Sequence, residues 1–312
     1  MFAFRTKVGG IIMLVVKELS KKIDHKLILD NINLNIPKGS IYGIIGENGA
    51  GKTTLIRHLV GAYQGDMGFV EVEGMRVYDN SEAKAKLVYL PDEFCDLFGR
   101  NTNDIKLLYQ GIYPAFDQVR YVKLLKLFKY SGNENFNKLS KGMKKQIMFI
   151  LALSIKPEYL IMDEPFDGLD PHIRKVIWDI LIKDVSERKM TIFISSHHLN
   201  ELDSMCDHIA LISKGKIVFE EALDKLKEDY HKLQIVLENS DEMYALEQKL
   251  NILAHQMMGR VHTLIVVGKI DEINQIVAKF HPLVNEMLSL TLEEIFLYTL
   301  GGKYDELKEV MG

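Results

Sequence analysis

A chain of 312 residues is long enough for a full hydrophobic core and two domains. Its 39 basic and 43 acidic side chains give a formal charge of −4, which removes any global electrostatic reason to bind nucleic acid. Two cysteines, Cys95 and Cys206, argue against a disulfide scaffold, and no apolar run approaches the roughly 20 residues that span a bilayer, so a membrane role requires a partner.

Residues 1–12 (MFAFRTKVGGII) lack the apolar core and cleavage site of a secretory signal. A strand-like pattern begins at Leu14, which marks Met13 as the expected natural start and residues 1–12 as a non-native extension. Residues 13–45 read as short strands: LVVKEL, NINLNIP and SIYGII. Residues 31–36 alternate strictly, as a half-buried strand does, whereas 40–45 are mostly apolar and suit a buried strand. A helix is expected over 55–62, and further strands over 66–91 with turns at Gly68 and Gly74. Residues 101–155 turn helical, with apolar positions at helical spacing over 119–128.

From Tyr159 strand and helix alternate: YLIMDE, a helix through Trp178, TIFISS, a short helix near Glu201, HIALIS and KIVFE. That alternation predicts a largely parallel sheet covered by helices. After about Glu221 the pattern resets to β-α-β-β-α-β and a last helix, with a hairpin around Gly259 and a capping box opening at Thr291. The expected result is a small α+β domain over 223–312, following a first domain over 13–222.

The chemistry concentrates in two segments. GENGAGKTT, containing Gly46, Asn48, Gly49, Ala50, Gly51, Lys52, Thr53 and Thr54, lies between a strand and a helix. Its glycines let successive N–H groups point at one anion, and the helix start adds its positive end. Lys52 is placed to reach the β- and γ-phosphates, and Thr53 to offer a hydroxyl to Mg²⁺. The strand YLIMDE ends in Asp163 and Glu164, at the carboxyl end where parallel sheets place ligands. Asp163 is expected to hold Mg²⁺, directly or through water, and Glu164 to act as general base on the attacking water. Alone, such an acidic pair reads as a solvated turn; the phosphate loop upstream changes that reading.

Taken in order, these segments with LSKGM (139–143), GLDP (168–171) and SSH (195–197) resemble the ATP-binding subunit of ABC transporters over about residues 14–221. The resemblance implies an α/β P-loop NTPase cassette with a RecA-like core, an antiparallel β subdomain and a helical subdomain over about 93–155. It implies a head-to-tail dimer, of two copies or with a related ATPase, that sandwiches ATP and Mg²⁺. Ser140 and the Gly142 backbone then meet the γ-phosphate bound by the opposite subunit, Asp170 lies at the dimer seam, and His197 orients Glu164 and the water. By itself LSKGM reads as an ordinary helix cap.

Three departures stand out. Asp92 occupies the position of the glutamine that usually follows a Leu-Pro pair, and is expected to keep a Mg²⁺-sensing role. Ile23 replaces the usual adenine-stacking aromatic, and Lys141 and Met143 replace Gly and Gln of the signature. LSKGM, LPDE and YPAFD (113–117) together resemble bacterial exporters with separately encoded permeases of the ABC-2 type, often linked to antibiotic or peptide efflux. That implies a cytoplasmic protein on the inner face of the membrane, with Phe94, Leu97, Phe98 and Tyr109 as candidates for the permease groove. Two alternatives stay open: a soluble ABC ATPase working on a ribosome or nucleic-acid complex, and a regulatory ATP-binding module.

Overall fold

The computed structural model describes residues 12–93, 101–238 and 241–300. The expectations for the extension before residue 12 and for Phe94, Leu97 and Phe98 lie outside the described residues. The chain divides into two compact units, one of residues 1–197 and 210–219, the other of residues 198–209 and 220–312.

The first unit opens with a long hairpin, β1 (Ile12–Ile23) and β2 (Lys26–Pro37). Its two-residue turn, Asp24 and His25, has positive φ at both positions (48° and 63°), which matches the twist of the flanking strands. The alternation over 31–36 is realised: Ile32, Leu34 and Ile36 are fully buried, with Asn31, Asn33 and Asn35 exposed. After β3 (Ile41–Ile45) and α1 (Lys52–Leu59), β4 (Met67–Val72) and β5 (Met75–Arg76) complete an antiparallel sheet in the order β2-β1-β4-β5. A short helix, α2 (Ser81–Ala85), capped by Asn80, interrupts the residues expected to be strands and precedes β6 (Leu87–Leu90).

The helical segment holds α3 (Thr102–Ile112), α4 (Gln118–Phe128) and α5 (Lys141–Ile155). Every residue of α5 from Ile147 to Ile155 is buried, the signature of a helix inside a core rather than on its surface. The chain then enters β7 (Tyr159–Asp163), α6 (Pro171–Arg188), β8 (Thr191–Ser196), α7 (Leu199–Asp203), β9 (His208–Ser213) and β10 (Lys216–Ala222). The six-stranded sheet runs β10-β9-β3-β8-β7-β6, and β3, β8, β7 and β6 are mutually parallel. Buried Asp184 on α6 receives Arg120 of α4 at 2.6 Å and Arg188 at 3.0 Å, a pairing that ties the helical segment to the sheet's covering helix.

Glu73 lies among Lys86, Lys38 and the Tyr159 hydroxyl. The hydrogen bond from Lys86, then that from Lys38, pulls its pKa down from 4.5 to about 2. A depressed carboxylate stabilises the fold above its unfolded pKa and loses that contribution as pH falls through the folded value. Glu73→Gln should therefore cost about 1 kcal/mol at pH 7, an amount typical of a partly solvated ion-pair network. Urea unfolding should show the gap to wild type closing between pH 4.5 and about 2.

In the second unit, α8 (Leu223–Asp229), a helix not expected from the sequence, leads into β11 (Tyr230–Val236), α9 (Asp241–Glu247), β12 (Asn251–Met258), β13 (Val261–Val267), α10 (Ile270–Ala278), β14 (Val284–Leu288) and α11 (Leu292–Leu300). The antiparallel order β12-β13-β11-β14 is that of a split β-α-β unit. Its core joins Leu233, Ile235, Leu264 and Val266 of the sheet to Leu246, Ile273 and Val277 of the helices. The capping box at Thr291 is formed in both directions, with Glu294 N donating to Thr291 Oγ1 (3.2 Å) and Thr291 N to Glu294 Oε2 (3.1 Å).

Candidate functional site

Parallel register brings the carboxyl ends of four strands level. Ile45 of β3 pairs with Ser196 of β8, Asp163 of β7 with Ser195, and Leu90 of β6 with Met162. The four loops leaving that edge carry the phosphate loop, Asp92, Glu164 and His197. The first three open on a cavity of about 630 Å³ lined by Asn48, Gly49, Gly51, Lys52, Thr53, Thr54, Asp92, Asp163 and Glu164 together with Ile23, Asp24, Lys26, Ile28 and Glu47. That volume suits a nucleotide-sized ligand. Ile23, at the tip of the β1–β2 hairpin, lines the same cavity with an aliphatic side chain.

The phosphate loop needs glycine at particular points. Gly49 (φ 84°) and Gly51 (φ 113°) occupy backbone conformations that side chains rarely adopt. Gly51 is the N-cap of α1 and supplies no side-chain acceptor, so the first N–H groups of the helix remain for a ligand. A Cβ on Gly46 would lie 2.3 Å from the Ile212 carbonyl oxygen. Gly46→Ala should therefore displace the loop and lower stability by about 2 kcal/mol, as overpacking against rigid backbone does. Denaturant titration measures the loss, and equilibrium titration with ATP should show weakened binding. Ala50 is buried, and its carbonyl accepts from Gly215 N at 3.0 Å.

Lys52 is buried, with Nζ donating to the carbonyls of Gly46 (2.5 Å) and Glu47 (3.2 Å). It also faces Glu164 Oε1 at 3.3 Å, an ion contact without hydrogen-bond alignment. Thr53 Oγ1 donates to Asp163 Oδ2 (2.7 Å), and Ser195 Oγ donates to Asp163 Oδ1 (2.6 Å). Glu164 N donates to Ser195 Oγ (3.0 Å), and His197 Nδ1 meets Glu164 Oε2 at 2.9 Å. The two acids therefore differ in setting: Asp163 is 2 % exposed and held between hydroxyls, whereas Glu164 lies between a lysine and a histidine.

Asp92 is engaged by two lysines of α5, Lys145 (3.0 Å) and Lys141 (3.1 Å), both on Oδ1. Burial pushes its pKa up, but the hydrogen bonds from Lys145 and Lys141 outweigh this and hold the carboxyl below its ordinary range. Tyr89, one residue before Leu90, is pushed up to about 12 by burial and then by the charge of Asp163.

Ser140, Gly142 and Asp170 stand apart from the cavity lining. Ser140 caps α5, accepting from Met143 N at 3.2 Å, and Asp170 caps α6, accepting from His172 N at 2.8 Å. A Cβ on Gly142 would lie 2.6 Å from the Gly168 carbonyl, so LSKGM packs directly on GLDP within the chain.

Sequence reasoning missed Lys145 altogether and used Ser195 only to mark the end of a strand. The sequence held only a partial signal for Lys145, its spacing of four and seven residues from the apolar Phe149 and Ala152 on one helical face.

Residues 29–167 match the family model described as ABC transporter. The bacitracin transport ATP-binding protein BcrA of Bacillus licheniformis is 31% identical over 297 residues, 91% of this chain and 96% of that protein. The ABC transporter ATP-binding protein YtrB of Bacillus subtilis is 29% identical over 93% of this chain and 99% of its own length, so both matches extend well into the second unit. The lantibiotic transport ATP-binding protein SrtF of Streptococcus pyogenes is 32% identical over 68% of this chain and 92% of that protein. A solved ATP-binding subunit of an ABC transporter superposes with a TM-score of 0.62 at 25% identity, over 69% of this chain and 92% of that one. The dimeric cassette MJ0796 with ADP and Pi superposes at 0.60 and 22% identity, which speaks to the fold. No described helix is long and apolar enough to cross a membrane. The chain belongs to the ATP-binding proteins of ABC transporters, a family of P-loop ATPases.

Proposed function

We propose that the chain binds ATP with Mg²⁺ and hydrolyses it to drive a separately encoded membrane permease that exports a drug, antibiotic or peptide. The observation that carries this reading is the convergence of Lys52, Thr53, Asp163 and Glu164 on one cavity, with His197 held against Glu164 from a third parallel strand.

In this reading Lys52 exchanges its contacts with Glu164 and the loop carbonyls for the β- and γ-phosphate oxygens. Glu164, released from that ion contact, takes the proton of the attacking water while His197 holds its other oxygen. Thr53 Oγ1 and Asp163 Oδ2, both oxygens and 2.7 Å apart, would hold Mg²⁺, with Asp92 on the same cavity as its sensor. When bound, the ion neutralises charge on the phosphate oxygens.

Ser140, Gly142 and Asp170 do not line the cavity of their own chain, which supports a head-to-tail dimer, of two copies or with a related ATPase, in which these residues complete the opposite site. Exposed Leu107, Leu108 and Ile112 on α3, beside half-buried Tyr109, support a permease contact in the helical segment. The protein then works on the cytoplasmic face of the membrane, held there by the permease. The names of BcrA and SrtF support an antibiotic or peptide cargo.

Affinity purification of the Glu164→Gln form with Mg-ATP from detergent-solubilised native membranes tests this. A multi-span permease among the recovered proteins is expected. Recovery of ribosomes or nucleic-acid complexes in its place would move the ATPase to a soluble role.

A further inference from the structure

We propose that Lys145 is a positioning residue of the ATPase, locking the Asp92 loop and the signature helix to the main chain of the general base. The inference rests on the assignment of Glu164 as that base.

Lys145 is 1% exposed, on a helix that is apolar from Ile147 to Leu153. A buried ammonium persists only when paired and hydrogen-bonded. Its Nζ donates to Asp92 Oδ1 at 3.0 Å and to the Glu164 carbonyl at 2.6 Å. One atom therefore joins three segments: α5, whose N-cap is Ser140; the loop after β6; and the turn after β7.

The contact with Glu164 falls on its backbone, and that backbone is strained. Glu164 has φ 42°, a left-handed conformation unfavourable for a residue with a Cβ. Two hydrogen bonds hold it there, from its own N–H to Ser195 Oγ and from Lys145 to its carbonyl. The left-handed turn sets where the carboxylate leaves the chain, and so its placement between Lys52 and His197. Removing the lysine frees the carbonyl, and the turn can relax toward negative φ. The carboxylate then leaves its two partners without any change in the phosphate loop.

Asp92 has a second partner in Lys141, which is half in solvent. Loss of Lys145 thus leaves Asp92 paired. Loss of Asp92 instead strands a buried ammonium. Substitutions at Asp92 alone therefore perturb Lys145 as well, and the lysine must be varied directly.

The test compares Lys145→Met, Lys145→Arg and Glu164→Gln in the full chain, by steady-state ATPase kinetics, thermal unfolding and crystal structures. Lys145→Met, similar in length and uncharged, is expected to lower kcat at least tenfold with KM within twofold. Lys145→Arg, which keeps a cation with several donors, should regain at least a third of the wild-type kcat. In the Lys145→Met structure Glu164 should leave the left-handed region. Wild-type kcat in Lys145→Met beside an inactive Glu164→Gln would overturn the proposal and leave the general base intact. So would equal losses in kcat, KM and melting temperature that arginine does not rescue, or an unmoved Glu164 turn. Wild-type turnover in Glu164→Gln would instead overturn the base assignment, while the movement of the turn still tests the Lys145 contact by itself.

Discussion

Glu164→Gln should stop turnover, lowering kcat by about 10²- to 10⁴-fold, the usual contribution of a positioned general base. The amide keeps the shape of the side chain but cannot take the water's proton. Nucleotide binding should survive and even tighten. In the wild type Glu164 Oε1 faces Lys52 at 3.3 Å, so the lysine divides its charge between the carboxylate and any incoming phosphate. Glutamine removes that competitor. Equilibrium binding of ATP alongside steady-state hydrolysis separates the two effects, and sizing in Mg-ATP should show a dimer accumulating. Turnover close to wild type would reject Glu164 as the base.

Lys52→Met should produce the opposite pattern, with binding lost first. The ammonium is buried at the start of α1 and is directed at the loop carbonyls that surround the phosphate position. Two charge-assisted hydrogen bonds to phosphate at about 1.5 kcal/mol each correspond to roughly a hundredfold in Kd. Methionine fills the stem's volume, so the fold should lose only about 1 kcal/mol from the unmet Gly46 carbonyl. ATP titration at two salt concentrations checks this, because the buried charge is screened less than a surface one. An affinity within threefold of wild type would place the phosphates elsewhere. The pair of variants is diagnostic together: one removes chemistry and keeps the ligand, the other removes the ligand.

What the sequence determined by itself was local chemistry. Gly49 and Gly51 adopt the positive φ that a phosphate loop requires, between a buried strand and a helix, as the order of residues implied. The alternation of 31–36 and the capping box at Thr291 were equally legible, because each is a rule about residues within one or two turns of each other. The short helices α2 and α8 were not expected, although α7, as short as α2, was.

The tertiary structure decided which side chains meet. Thr53 and Asp163 meet across 110 residues, and Lys145 reaches Asp92 across 53. Those encounters depend on the parallel register that aligns Ile45, Ser196, Asp163 and Leu90, and no local pattern encodes register between strands so far apart. Burial was decided at the same level. It made Lys145 a fixed donor at the site instead of a solvated helix residue, because an ammonium excluded from water must find its acceptors wherever the packed chain has placed them.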